Sequence, residues 1–145
     1  VTISGFTFPV SDGSSGQFIK TDGLGTLSFA SAGATLNHSD LADATTTVAT
    51  STTTTLNTFD KTVYRSAKYF ISITDATNSR FEIVEANVTH DGSDAYVSTF
   101  GSTTNYTGGL CVFTADMSGN DVRLRVTNIS DASTVFKFQR IAVDV

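Results

Sequence analysis

The clearest period in the chain begins near Val63, where Ala67, Tyr69, Ile71 and Ile73 alternate with Ser66, Lys68, Ser72 and Thr74. That period of two is the mark of a strand with one buried face. A turn follows over residues 75–79. Phe81 and Ile83 then open a second strand, but Val84, Ala86 and Val88 continue it in the opposite phase, which predicts a bulge near Ile83. Asp91-Gly92 closes a hairpin into residues 95–100, residues 110–115 form a further strand, and Ser118-Gly119-Asn120-Asp121 turns the chain again. Val122, Leu124 and Val126 point inward, opposite Arg123 and Arg125. Phe136 and Phe138 share a phase that Ile141, Val143 and Val145 continue only after a slip, so a second bulge or a crossing between sheets is expected near Arg140. Some six short strands separated by turn signals predict that residues 59–145 form an antiparallel β-sandwich of jelly-roll-like type.

The first thirty residues have a different texture. Their apolar residues are set among glycines. Asp12-Gly13 and Asp22-Gly23 are pairs that accept the positive φ of tight turns. Residues 17–21 and 26–30, joined across Asp22-Gly23-Leu24-Gly25, read as a β-hairpin. Two strands bury too little apolar surface to stand alone in water, so residues 1–30 are expected to be an anchoring or assembly segment that leans on something else. Residues 31–58 contain Thr45-Thr46-Thr47 and Thr52-Thr53-Thr54-Thr55, with only Leu36, Leu41, Val48 and Leu56 as larger apolar side chains. So low a hydrophobicity predicts a linker or an extended arm.

Composition sharpens the fold class and removes several functions. There are 25 Thr and 17 Ser, and only 16% of the residues are charged, against roughly 25% in ordinary domains. Thr is branched at Cβ and both hydroxyls compete for the backbone, so the prior is all-β. With a net charge of −5 and nine scattered basic residues, the chain lacks a footprint for nucleic acid. No apolar run is long enough to span a bilayer and no signal-peptide pattern opens the chain, so membrane insertion is not expected. A lone Cys111 precludes an internal disulfide, and with only two histidines a structural zinc site is not expected. Taken by themselves, the residues describe an acidic β-rich protein that is not an enzyme and carries no cofactor.

Residues 8–29 bear a motif. Pro9, Asp12, Gly13, Gly16, Gln17, Thr21, Asp22, Gly23, Gly25 and Phe29 fit the form P-x-x-D-G-x-x-G-Q-x-x-x-T-D-G-x-G-x-x-x-[FW], which resembles a segment of bacteriophage tail-fibre and other virion structural proteins, especially of marine and cyanobacterial phages. Residues 64–69, 122–127 and 136–140 are loosely similar to the C-terminal domain of short phage structural proteins. The resemblance implies a component of the virion surface, commonly a homotrimer, whose partners are its own copies, other virion proteins and a glycan or protein of the host cell. The chain's length favours a fibre tip, a short spike or a capsid decoration. In a trimer, Phe6, Phe8, Phe18, Leu27 and Phe29 are the expected assembly residues, because three thin-cored copies around an axis share one interior. Two other readings stay open. In one, residues 1–10 add as a strand to a neighbour's sheet in a filament, since Phe6, Phe8 and Val10 alternate. In the other, the chain is a carbohydrate-binding adhesin module.

Candidate chemistry is sparse. No Gly-x-Ser-x-Gly elbow accompanies the serines and histidines, and His90 reads as a solvated residue of its hairpin. Glu82 and Glu85 fall on opposite faces of one strand unless the bulge intervenes, which disfavours a paired-carboxylate site. The glycines of residues 13–25 lack the Gly-Lys-Ser/Thr ending of a phosphate loop. Asp91, Asp94, Asp116 and Asp121 sit in turns without calcium-loop spacing, and no metal is expected. Cys111, between Leu110 and Val112, reads as a small core residue. Sequons at Asn37, Asn87, Asn105 and Asn128 read as a by-product of the Ser and Thr content. The loop at residues 101–109, with Tyr106 among small polar residues, is the best surface for contact with a sugar or protein, and Tyr96 is a second candidate.

Overall fold

A computed structural model describes residues 2–31 and 36–145, and among these the chain is all-β, its strands paired antiparallel. It divides into two compact units, Val1–Leu36 and Asn37–Val145.

The first unit holds β1 (Thr2–Ile3), β2 (Phe6–Thr7), β3 (Gln17–Thr21) and β4 (Leu27–Ser31). β3 and β4 pair from Gln17↔Ser31 to Thr21↔Leu27, the hairpin that the turn chemistry predicts. Its turn is built by Asp22, whose Oδ1 accepts the N–H groups of Leu24 (2.7 Å) and Thr26 (3.0 Å) while Gly23 and Gly25 supply positive φ. Those two bonds hold the Asp22 carboxyl below the usual carboxylate range. β1 and β2 close on each other through Ser4 and Gly5, and Thr7 bridges to Thr26. The backbone of residues 2–7 is thus engaged within its own chain. A strand donated to a neighbour, as the filament reading requires, would first have to open that turn. Among the described side chains of this unit, none is buried.

The second unit holds β5 (Ser39–Val48), β6 (Thr53–Asp60), β7 (Tyr64–Asp75), β8 (Arg80–His90), β9 (Ala95–Thr104), β10 (Cys111–Ser118), β11 (Asp121–Asn128) and β12 (Thr134–Asp144). A five-stranded sheet runs β5-β12-β7-β8-β9 and a three-stranded sheet runs β10-β11-β6. Their inner faces share one core. Tyr69, Ile71, Ile73, Val84, Ala86, Val88, Phe136 and Phe138 come from the larger sheet, and Leu56, Phe59, Val122, Leu124 and Val126 from the smaller.

Three expectations need correction. Residues 31–58 were expected to be a linker or extended arm, and residues 32–35 of that span lie outside the described residues. β5 and most of β6 occupy the rest of it, each hydrogen-bonded along its length to β12 or β11. The sandwich therefore begins near Asn37 and not at Phe59. Both are edge strands, so Ala42, Ala44, Thr46 and Val48 suffice to line β5 inside, and the Thr runs satisfy the pleat through β-branching without a continuous apolar stripe. The irregularity near Ile83 exists, but the extra residue belongs to β9, at Gly101 and Ser102, where Gly101 takes positive φ. β8 itself keeps one phase throughout: Phe81 lies outside, and Glu82 takes the inward place that apolar Phe81 and Ile83 were expected to fill. No slip occurs at Arg140. β12 keeps its even positions inside from Thr134 to Ala142, so Arg140 is buried and Ile141 and Val143 face outward. The apolar pattern changed phase because a charge went in, not because the strand bent.

Candidate functional site

Three loops meet at one end of the sandwich: the turn after β7, the connection from β9 to β10, and the connection from β11 to β12. Asp75 ends β7 fully buried. Its carboxylate accepts the Asn78 amide (2.8 Å), the Asn78 backbone N–H (3.1 Å) and the Ser130 hydroxyl (2.5 Å). These donors, the Asn78 side chain first, hold its carboxyl below the usual range against the opposing effect of burial. Asn78 also donates to Asp131 Oδ1 at 2.9 Å, and Arg80 donates to the same oxygen at 2.8 Å while standing 3.9 Å from Asp75. The Arg80 guanidinium lies 3.9 Å from the centre of the Tyr106 ring. Asn105 fixes the loop that carries Tyr106, accepting Phe81 N–H (2.8 Å) and donating to Ser79 O (3.0 Å).

Tyr106 is thus presented on a pinned loop, with a cation on its ring and Asp131 close by, largely exposed. Such a surface offers an aromatic edge together with donors and acceptors, the mix that polyhydroxylated or peptide ligands use. Tyr106 was visible in the sequence, but Arg80 and Asp131 were not. They are 51 residues apart, and no local pattern links an Arg at the start of one strand to an Asp in a distant loop.

Tyr96 is placed elsewhere. It opens β9, and its hydroxyl donates to Asp91 Oδ2 at 2.8 Å. Ten residues of strand separate it from Tyr106, roughly 30 Å, so the two tyrosines make no common site. Asp91 also accepts the N–H groups of Ser93 and Asp94, and these bonds, with the Tyr96 hydroxyl, pull its carboxyl down to about 2.

The five expected assembly residues are also divided. Leu27 and Phe29 share one face of the β3–β4 hairpin with Ile19, which pairs with Phe29, whereas Phe18 projects from the other face. Phe29 lies over Gly13, where a Cβ would come within 2.7 Å of its ring. Phe6 lies in β2, exposed like Phe18, and Phe8 is partly buried just beyond β2. Ile19 was not among the expected residues, although its place opposite Phe29 follows once the register is known.

Other residues fall as follows. His90 is buried, not solvated: its Nε2 lies 2.9 Å from Tyr64 O and its ring packs near Phe59. Glu82 and Glu85 point to opposite faces. Glu82 accepts Leu110 N–H (2.7 Å) and the Ser102 hydroxyl (2.9 Å) inside, and Glu85 pairs with Lys68 at 2.6 Å outside. Cys111 packs against the core, and burial pushes its thiol up. Asn128 is sealed inside, so its sequon presents no acceptor to solvent.

No family model and no curated protein matches this sequence. Among solved structures, the chain is similar to the tailspike protein of Acinetobacter baumannii phage AM24, with TM-score 0.48 and 12% identity over 74% of this chain and 26% of that one. It is also similar to the tailspike protein of Acinetobacter phage vB_ApiP_P1, with TM-score 0.39 and 17% identity over 77% of this chain and 22% of that one. A third is a tailspike protein from Acinetobacter baumannii bacteriophage Fri1, described as a capsular polysaccharide depolymerase, with TM-score 0.37 and 18% identity over 74% of this chain and 18% of that one. The chain spans about a quarter or less of the length of these proteins. One of these chains is described as a depolymerase, and the expectation that this chain is not an enzyme is withdrawn. That expectation rested on missing local motifs. Glycan cleavage needs only carboxylates brought together by the fold, which leave no such motif.

Proposed function

We propose that this chain is part of a bacteriophage tail, exposed on the virion, that assembles as a homotrimer and takes part in attachment to the host surface. In this reading the first unit packs against its own copies and other virion proteins through Phe6, Phe8, Phe18, Leu27 and Phe29. The second unit carries the loops that meet a host glycan or protein, with Tyr106 and Arg80 at the contact.

The observation that supports this reading best is the state of the first unit. It carries the glycine motif that resembles phage virion proteins, it folds into two defined hairpins, and none of its described side chains is buried. Hairpins without a core are at best marginally stable in water. Phe6 in β2 and Phe18 in β3 stand about half exposed, as is reasonable for surfaces that sister copies cover.

Sedimentation equilibrium of the full chain at micromolar concentration tests the assembly, and a mass three times that of the 15.3 kDa chain is expected. A monomer whose first thirty residues resist protease would overturn it. For attachment, binding of the protein to host cells should fall on Tyr106→Ala and on Arg80→Ala. Undiminished binding by both variants would remove this end of the sandwich from the contact.

A further inference from the structure

We infer that the outer face of the five-stranded sheet is covered by sister copies of this chain. The inference rests on the homotrimer reading and names the contact surface that the second unit would contribute to it.

The two outer faces of the sandwich differ in kind. On the three-stranded sheet the outward positions include Thr53, Thr58, Thr114 and Thr127 with Arg123 and Arg125, both arginines held by Asp116, and Val112 is the single large apolar side chain exposed among them. That face suits water. On the five-stranded sheet, Leu41, Phe70, Phe81, Phe100, Ile141 and Val143 all project outward, each between 40% and 54% exposed. Register places them in adjoining rows: Leu41 beside Ile141, and Phe70 and Phe100 on either side of Glu85. Apolar side chains scattered singly need no explanation, but six on one sheet face do.

Area and charge both point to a second copy. Five strands at roughly 4.8 Å and five outward rows at roughly 6.7 Å cover on the order of 800 Å². A stable protein interface takes about 800 Å² from each partner. The chain as a whole carries a charge of −5, so most pairings of identical surfaces set like charges against each other. The charged residues projecting from this face are Lys68, Lys137, Asp43 and Glu85, two of each sign. Copies meet here without net repulsion: Lys68 is already paired with Glu85 within the chain, which leaves Lys137 and Asp43 to face each other across the contact. In a closed trimer the three sheets would turn inward around the axis, each face divided between two neighbours at about 400 Å² apiece, with the assembly residues of the first unit supplying the rest of each contact.

The test is the mass of the full chain in solution for the wild type, for Phe70→Lys/Ile141→Lys, and for Thr58→Lys/Thr114→Lys on the opposite sheet as control. A milder pair, Phe70→Ser/Ile141→Ser, serves if the lysine pair does not give the wild-type β-sheet circular dichroism and a cooperative melt. The face variants are expected to weaken association by about tenfold or more, with the control unchanged. A wild-type oligomer that both face variants leave intact would overturn this inference while the trimer reading stands. A wild-type dimer that the face variants dissociate would support the inference and overturn the trimer. A wild-type monomer would overturn both.

Discussion

Asn128 is the residue whose removal should tell most about how the sandwich is closed. It ends β11 with its side chain fully buried. Its amide donates to Val48 O (3.0 Å) and Ala132 O (2.8 Å), and its Oδ1 accepts Ser130 N–H (2.9 Å) and the Thr134 hydroxyl (3.3 Å). One side chain thereby ties the end of β5 to the loop that carries the chain from the small sheet into β12. In Asn128→Ala, the Val48 carbonyl and the Ser130 N–H lose this partner in the buried interior, and the part-buried Ala132 carbonyl keeps only the Thr134 hydroxyl. At about 1 kcal/mol for each of the three backbone bonds, the loss comes to about 3 kcal/mol. Set against about 5–15 kcal/mol for a whole domain, that is a large share, and it corresponds to a drop of roughly 10–20 °C in Tm. Urea unfolding followed by tyrosine fluorescence reads this cleanly, because all four tyrosines lie in the second unit and the chain has no tryptophan. Asn128→Asp adds a sharper arm. The substituted oxygen would face two carbonyl oxygens, so at neutral pH the variant should be less stable than Asn128→Ala and should recover as acid protonates it. A loss below about 1 kcal/mol for Asn128→Ala would refute the claim that these bonds close the sandwich.

Other outcomes follow from the same contacts. Arg140, 5% exposed, donates to Asn57 Oδ1 (3.0 Å) and Thr58 O (3.0 Å) and pairs with Asp40. Arg140→Ala should cost about 3 kcal/mol, since it takes the donor from Thr58 O and leaves Asn57 Oδ1 with the Tyr69 hydroxyl alone, and Asp40→Ala should cost a comparable amount, because it leaves the buried Arg140 guanidinium without a countercharge. Both are measured by urea unfolding. Because hydrogen bonds lower the Asp75 carboxyl in the folded protein, the unfolded chain takes up that proton first as pH falls. The stability it contributes is fully present above the ordinary carboxylate value of about 3.9 and is lost as pH drops through the lower folded value. Tm should therefore hold steady from neutral pH to about 5 and fall below about 4, with a shallower fall in Asp75→Asn. Gly13→Ala should disorder the first unit, because its Cβ would meet the Phe29 ring. Faster proteolysis within residues 1–31, with unfolding of the second unit unchanged, is the expected result.

Much of this protein was set by its local sequence. Thr and Ser content, the period of two around Tyr69 and Ile71, and pairs such as Asp22-Gly23 determine strands and tight turns through sterics and hydrogen bonds only a few residues long. The all-β class and the β3–β4 hairpin were legible for that reason. Tertiary structure decided whatever depends on partners far along the chain. β5 and β6 looked too polar to be strands, yet as edges they lean on β12 and β11 and need little apolar surface of their own. Arg140 and Glu82 took inward places that periodicity gives to apolar residues, because Asp40 and Asn57 in one case, and Ser102 and the Leu110 N–H in the other, stand ready to satisfy them. The candidate site followed the same rule. Tyr106 stood out as an aromatic in a polar loop, but Arg80 and Asp131 belong beside it only because three loops converge, and no residue carries in its own neighbourhood a record of which distant strand will fold against it.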